Sequence, residues 1–234
     1  MDKCEQAHRH AIALSSAAMG RSEGVTAVVF DMDGTLIDTS RVVPPAFSEA
    51  IRQMGGPALT HDEVIDSYVL GPPAAIMEHF VGRQVTQKEL DAYHERLASE
   101  ARRQGLRPYP GIVEALDALS GVPLGVFTNA DRGNMRVLLG AAGIADRFAA
   151  VVGADEVAPR FKPNPDGLQL ACERLGVDAT RAAYVGDGPL DGETARRAGA
   201  LAVAAGWGHQ LEDASSFELV VGIPTELPAA LGLG

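Results

Sequence analysis

The segment AVVFDMDGTLIDT, residues 27–39, ends an apolar run in two carboxylates that are one residue apart. Such a run is typical of a buried parallel strand, and open α/β sheets bind ligands at the carboxyl ends of their strands. Residues i and i+2 of an extended segment point the same way, so Asp31 and Asp33 can face one site, and Gly34 lets the backbone turn after them. Close carboxylates repel each other unless a proton or a cation such as Mg²⁺ intervenes. An Asp-Gly pair is also a common turn, so D-x-D-G alone leaves both interpretations open, whereas the longer string DMDGTLIDT is much more specific.

The composition is that of an ordinary globular chain with an excess of acidic groups. The chain has 234 residues, enough for one full core and an insertion, and 46% of them are hydrophobic. Its formal charge at pH 7 is −11. No basic cluster offsets this charge, which disfavours nucleic acid or an anionic membrane as a partner. No apolar run approaches the roughly 18 residues of a membrane span.

The two cysteines and the N-terminal segment indicate the cellular compartment in which the protein is expected. Cys4 and Cys172 are far apart and form no spacing motif, so free thiols in a reducing, cytoplasmic compartment are expected. Residues 11–19 form a short stretch of small residues that imitates a weak signal peptide. Serines interrupt it and acidic residues precede it, which favours a helical or irregular extension with Met19 as an alternative start.

Residues between about 41 and 107 show helical periodicity and no strand signal. Gly and Pro clusters separate the periodic segments. Thr60 with Glu63, and Thr86 with Glu89, have the spacing of capping boxes and predict two helix starts. The helices predicted in this block cover residues 44–54, 61–69, 73–81 and 86–104.

Strands and helices alternate through the rest of the chain, which indicates an α/β fold with a Rossmann-like, doubly wound parallel sheet. The all-helical block interrupts this pattern directly after the first strand. The expected division is an N-terminal extension (1–24), a core domain (25–40 and 108–234) and an inserted helical domain (41–107). The predicted strands are 25–31, 122–128, 148–153, 182–186, 201–204 and 217–221, and the predicted helices are 112–119, 132–142, 165–175, 191–198 and 224–231.

Three further polar clusters lie near predicted strand ends or helix starts. Thr128 and Asn129 follow one strand, although both residue types are also ordinary helix starters. Lys162 lies in a loop before a helix, where a lysine is commonly just solvated. Asp187 ends another strand, and Asp191 follows four residues later, where it can also serve as a helix N-cap. Together with Asp31 and Asp33, these side chains would supply the charge neutralisation and the attacking oxygen that phosphoryl transfer needs.

The four clusters, in this order, resemble the four motifs of the haloacid dehalogenase-like phosphohydrolases, and the resemblance covers about residues 25–210. The helical insertion resembles the C1 cap of the phosphoglycolate phosphatase and β-phosphoglucomutase branch. The resemblance implies that Asp31 attacks phosphorus and that Asp33 protonates the leaving oxygen and then activates water. It further implies that Lys162 neutralises charge on Asp31 and on the phosphate.

The same resemblance implies how phosphate and metal are bound. Thr128 and Asn129 would hold phosphoryl oxygens. Mg²⁺ would be bound by Asp31, Asp187 and the main-chain carbonyl of Asp33. Asp191 would orient that metal shell.

The expected function is therefore Mg²⁺-dependent hydrolysis of a small phosphorylated metabolite through an aspartyl-phosphate. Phosphoglycolate, a sugar phosphate and a biosynthetic intermediate are the candidate substrates. Asp33 argues against the dehalogenase and phosphonoacetaldehyde hydrolase branches, which lack this acid. The alternatives are a phosphomutase, disfavoured because the cap loop at 70–75 has no basic residue, and a non-catalytic binding protein, disfavoured because every motif acid is present. A monomer or homodimer is expected.

The cap is expected to select the substrate and to move as a lid. Residues near 68–76 are predicted to set specificity, with Leu70, Ala74 and Ala75 as the positions to change. Trp207 is expected to pack rather than to contact substrate. The cap histidines His61, His79 and His94 are expected to be surface or half-buried helix positions without a catalytic role.

Overall fold

Six parallel strands form one sheet in the computed structural model, which describes residues 24–211 and 213–233. The order across the sheet is β3-β2-β1-β4-β5-β6. Every residue of β1, β2, β4 and β5 is buried, as expected for strands covered by helices on both faces. The strands are β1 (Ala27–Phe30), β2 (Leu124–Phe127), β3 (Ala150–Val152), β4 (Ala182–Gly186), β5 (Leu201–Ala205) and β6 (Leu219–Val221).

The first strand lies in the middle of the sheet and is the point where the strand order changes direction. From β1 the chain adds β2 and β3 on one side, and then crosses to add β4, β5 and β6 on the other. Val29 is level with Gly125 of β2 and with Tyr184 of β4. The segments that follow these three strands therefore meet at one edge of the sheet, the usual position of a ligand site in such folds.

Nine α-helices accompany the sheet within the described residues. Four of them, α1 to α4, form a block between β1 and the rest of the core. The helices are α1 (Val43–Gln53), α2 (His61–Asp66), α3 (Pro73–Val81), α4 (Gln87–Gln104), α5 (Ile112–Ala118), α6 (Arg132–Ala142), α7 (Asp166–Leu175), α8 (Pro189–Ala198) and α9 (Leu227–Ala230). Short 3₁₀ turns add Ser67–Leu70, Ala145–Arg147, Ala154–Glu156, Ala179–Arg181 and Pro224–Glu226.

The buried side chains of the helical block join the hydrophobic core on one face of the sheet, and α4 fastens the block to the sheet domain. The rings of Phe47 and Tyr93 pack with centroids 4.8 Å apart. His94 on α4 hydrogen-bonds through Nε2 with Asp131 Oδ1 at 2.9 Å, and Asn134 Nδ2 donates to the Tyr93 hydroxyl at 3.0 Å. These two contacts join neighbouring α4 residues to the start of α6, so one helix of the block is anchored beside the strand-end edge.

The sequence predicted the fold class correctly, and the differences concern the ends of elements. The predicted helix over 61–69 ends at Asp66 and tightens into the 3₁₀ turn Ser67–Leu70, because Gly71 takes a φ of 111° and a proline follows it. Helix α8 begins at Pro189 rather than at 191, since proline favours the first helical turn. The final predicted helix, 224–231, is divided into a 3₁₀ turn and the short α9.

Several sequence-based expectations fall outside the described residues. These are the expectations for the extension over residues 1–23, including the stretch at 11–19, Met19 and Cys4. Within the described part, Cys172 is a buried free thiol. No helix of residues 24–211 and 213–233 has the length and apolar character to cross a bilayer.

Candidate active site

A cleft of about 200 Å³ opens between the strand-end edge and the helical block. The sheet side supplies every one of the seven polar residues singled out from the sequence, and the helical block supplies mainly apolar side chains. The sheet-side residues lining the cleft include Asp31, Asp33, Thr128, Asn129, Lys162, Asp187 and Asp191. Separate strand ends and loops thus bring together what the sequence spreads over 161 positions, from 31 to 191.

Lys162 is the centre of a buried charge cluster. Its Nζ donates to Asp31 Oδ1 in a short contact and to Asp191 Oδ1 at 2.8 Å. Burial alone would lower the pKa of Lys162, but the charges of Asp191 and Asp31 outweigh that effect and raise it. Burial raises the pKa of Asp31 well above its ordinary value, although Lys162 opposes the shift. The single ammonium group of Lys162 therefore forms ion pairs with two buried carboxylates.

Asp187 is held by the loops that follow β1 and β5. Thr35 Oγ1 donates to Asp187 Oδ1 at 3.4 Å, and the Gln210 amide donates to Oδ2 at 3.0 Å. A Cβ at Gly34, which has a φ of +81°, would lie 2.4 Å from the Asp187 carboxylate. Burial, with a contribution from Asp191, raises the pKa of Asp187 to about 7. A glycine is thus needed at position 34 so that the backbone can lie close to the Asp187 carboxylate, as well as for the turn.

Asp33 lies in the same cleft but has a different environment. It is only partly buried, whereas Asp31 is buried, and its pKa is raised mainly by loss of hydration. A hydrogen bond from Thr39 opposes that shift. A carboxyl that holds its proton more tightly than usual and faces a cleft can donate a proton to a bound group.

Three carboxylates form a group with the spacing of a metal site. One oxygen each from Asp31, Asp187 and Asp191 lies within 4.8 Å of the other two. Oxygen donors suit a hard dication, and one lysine leaves this group with an excess of negative charge. A cation such as Mg²⁺ therefore fits these residues. The group contains Asp191, which the sequence analysis placed in the outer shell, and does not contain the Asp33 carboxylate.

Thr128 and Asn129 lie after β2, facing the lysine loop. Thr128 Oγ1 accepts from the Ala130 amide at 3.1 Å. Asn129 Oδ1 accepts from the Lys162 main-chain amide at 2.9 Å. The Asn129 side chain thereby fixes the position of the loop that carries the lysine.

Tyr184 contributes to the site although the sequence analysis did not single it out. Its hydroxyl donates to the Phe127 carbonyl at 2.8 Å and also lies 3.3 Å from Asp191 Oδ1. The Lys162 ammonium lies 5.3 Å from the ring centroids of both Phe127 and Tyr184. Such contacts stabilise a buried cation. In sequence, Tyr184 is one more large residue in a buried strand, so no local signal marks this role.

The helical block and the start of α6 form the opposite wall of the cleft, which we call the cap wall. Its members share neutral and mostly apolar side chains: Val43, Phe47, Ile65, Tyr68, Val69, Gly71, Pro73, Ile76 and Asn134. Asn134 is 3% exposed, and its Oδ1 has no hydrogen-bond partner. The predicted specificity segment 68–76 does line the cleft, but Leu70, Ala74 and Ala75 are not among its lining residues.

Two further residues singled out from the sequence, Trp207 and His94, contact other protein groups and do not line the cleft. Trp207 Nε1 donates to the Thr35 carbonyl at 2.8 Å, and its ring packs against the core rather than lining the cleft. The His94 ring lies over Gly133, where a Cβ would come within 2.1 Å of it. Trp207 and His94 therefore hold neighbouring segments in place.

Comparison with known proteins agrees with this geometry. A model of haloacid dehalogenase-like hydrolases matches residues 25–199, and the chain belongs to that family. It is 33% identical over 204 residues to the phosphoglycolate phosphatase of Rhodospirillum rubrum, covering 81% of this chain and 83% of that protein. It is 34% identical over 193 residues to the N-acetylmuramic acid 6-phosphate phosphatase of Pseudomonas aeruginosa, covering 78% and 82%. The fold matches CbbY from Rhodobacter sphaeroides, solved in complex with phosphate, with a TM-score of 0.78 at 23% identity over 89% of this chain and all of that one.

Proposed function

We propose that the protein is a Mg²⁺-dependent phosphatase that hydrolyses a small phosphorylated metabolite through a phosphorylated Asp31. The observation that carries the proposal is the pairing of Asp31 with Lys162 in a cleft that Asp33 also lines. The phosphatase relatives support the reaction class. The first step forms a bond between an Asp31 carboxylate oxygen and phosphorus while the bond from phosphorus to the leaving oxygen breaks.

Asp33 is proposed as the general acid of that step and the general base of the next. It gives its proton to the leaving oxygen, and its raised pKa favours the protonated form that this requires. It then takes a proton from a water molecule that attacks phosphorus. The bond between phosphorus and Asp31 breaks in that second step, which releases inorganic phosphate and restores the enzyme.

The other polar residues are proposed to hold charge in place. Lys162 offsets negative charge on Asp31 and on the phosphoryl oxygens, while Thr128 and Asn129 bind those oxygens. Asp31, Asp187 and the Asp33 carbonyl would bind Mg²⁺, and Asp191 would orient this set, although its carboxylate lies close enough to bind the metal directly. Bound Mg²⁺ would neutralise charge that develops on the phosphoryl group.

We also propose the domain division and the compartment. The two chain crossings between core and cap run side by side, since Ile37 pairs with Pro108 and the Tyr109 amide donates to the Leu36 carbonyl at 3.0 Å. This pairing supports a cap over 41–107 and a core over 25–40 and 108–234. The free buried thiol of Cys172 supports a reducing, cytoplasmic location.

The test is release of phosphate from p-nitrophenyl phosphate by the purified chain. We expect turnover with Mg²⁺, loss of turnover with EDTA, and recovery when Mg²⁺ is added back. The Asp31→Asn variant should be inactive, whereas Asp38→Asn, which changes an exposed acid of the same segment, should retain activity. A folded protein that releases no phosphate from this substrate or from a broad panel of phosphorylated metabolites would contradict the proposal.

A further inference from the structure

The cap wall contains no group that could compensate a second negative charge on the substrate. Among the described residues that line the cleft, Lys162 is the only cation, and it already contacts Asp31 and Asp191. The cap-wall side chains are all uncharged. A carboxylate or second phosphate in contact with this wall would lose hydration without gaining an ion pair, which is strongly unfavourable.

The main-chain amides at the start of α1 do not replace the missing cations. A helix N-terminus commonly binds anions through its free amide groups. Helix α1 has Pro44 and Pro45 in its first turn, and the amides of Val42 and Val43 both donate to the Thr39 carbonyl. These four consecutive positions at the start of α1 therefore have no free amide hydrogen.

The three residues that lead into α3 are depleted in the same way. Pro72 and Pro73 have no amide hydrogen, and the Gly71 amide donates to the Tyr68 carbonyl at 3.2 Å. At these positions, α1 and α3 thus offer no amide donor to the cleft. Nearly every cap-wall contact that remains for a leaving group is apolar, and Asn134 and Tyr68 are the exceptions.

We propose that the leaving group of the physiological substrate is an uncharged alcohol with an apolar surface, and that the cap wall rejects leaving groups that carry a carboxylate or a second phosphate. The inference rests on the proposed phosphatase function. The inferred substrate differs from phosphoglycolate, for which several relatives are named, because the leaving group of phosphoglycolate carries a carboxylate. It also disfavours a phosphomutase, because a bisphosphate intermediate carries a second phosphate.

The test compares three phosphate esters at one ionic strength: phosphoglycolate, its uncharged amide analogue glycolamide phosphate, and benzyl phosphate. Phosphoglycolate and the amide match in size and differ in charge. We expect kcat/KM to be at least about tenfold higher for the amide than for phosphoglycolate, and highest for benzyl phosphate. Equal or faster turnover of phosphoglycolate would overturn the inference. Turnover of p-nitrophenyl phosphate in the same preparation separates that outcome from failure of the proposed function.

A positive charge placed on the cap wall should weaken the preference for the uncharged substrate. Val69 lines the cleft and is 75% exposed, so Val69→Arg should fold normally. We expect it to shift the ratio of kcat/KM values toward phosphoglycolate by about three- to fivefold. Leu70→Arg is the matched control, because Leu70 is the next residue, is also exposed and does not line the cleft. Equal shifts in both variants would overturn the assignment of selectivity to the cap wall.

Discussion

The two sides of the cleft differ in charge and polarity. The sheet side is dense in charge, with Asp31, Asp187 and Asp191 buried around one lysine. The cap wall is neutral and largely apolar, and Val69 within it is mostly exposed. In the proposed mechanism this difference separates two tasks, because reaction chemistry needs fixed charges, whereas choice among leaving groups needs differences in shape and hydration. Changes on the sheet side should therefore affect all substrates alike, and changes on the cap wall should affect some more than others.

After Asp31→Asn, the largest effect is expected for Asp33→Asn on the sheet side. Loss of a general acid and base typically costs about 10²- to 10⁴-fold in rate. The loss in kcat should be similar for benzyl phosphate and glycolamide phosphate, since neither leaving oxygen would receive a proton. Steady-state kinetics on both substrates, with Asp38→Asn as the control, test this prediction. Near-normal kcat in Asp33→Asn would remove Asp33 from the mechanism.

A smaller effect on the same side is expected from a change in the three carboxylates that have the spacing of a metal site. Asp187→Asn should raise the Mg²⁺ concentration needed for half-maximal activity by about ten- to a hundredfold, a typical penalty for weakening a metal site. Asp213→Asn removes the same charge at an exposed position and should leave the requirement unchanged. Mg²⁺ titrations of both variants provide the measurement. An unchanged requirement in Asp187→Asn would mean that the metal lies elsewhere.

On the cap wall, Ile65→Ala should change preference without changing chemistry. Ile65 is a half-buried residue of the wall, so its truncation removes apolar contact from the leaving group. We expect kcat/KM for benzyl phosphate to fall roughly three- to tenfold and that for ethyl phosphate to change little. Leu70→Ala is the control outside the cleft. A uniform loss on both substrates would show that the wall also controls the chemical step.

The smallest effect concerns the stability of the metal-free sheet side. The pKa of Asp187 is raised to about 7, so the folded state holds this proton more tightly than the unfolded chain does. The contribution of Asp187 to the free energy of unfolding therefore decreases as the pH rises from about 4 to about 7. Urea unfolding in EDTA should show a lower midpoint at pH 8 than at pH 5.5, and Mg²⁺ at pH 8 should raise it. A midpoint that rises with pH in EDTA would contradict this account.

The sequence predicted which polar residues meet on the sheet side, because strands have simple geometry. Parallel strands end at a common edge, so polar residues such as Asp31, Thr128 and Asp187 after apolar runs could be expected to meet there. The predicted strand ends differ from the observed ones by one or two residues at several positions, and these differences do not change where the polar residues lie. Tyr184 was missed because its role depends on a contact with Phe127 and Asp191 across neighbouring elements.

The cap wall was less predictable because helices pack at angles that short-range periodicity does not set. The segment 68–76 lies along the cleft, but Val69, Gly71 and Pro73 line it where Leu70, Ala74 and Ala75 were expected to act, and its role in specificity stays a prediction. Asn134 joined the wall through its contact with Tyr93, which is 41 residues away in sequence. Such long-range contacts leave no pattern in either segment alone.

The central claim is that Asp31 becomes phosphorylated, and trapping that group tests the claim most directly. Acid quenching of the enzyme during turnover of p-nitrophenyl phosphate, followed by borohydride, converts an acyl phosphate into an alcohol. Peptide mass spectrometry should then find homoserine at position 31, in an amount that rises with occupancy of the site and is absent without substrate. Unmodified Asp31 in every quenched sample, while phosphate accumulates, would contradict the covalent route and favour direct attack by water.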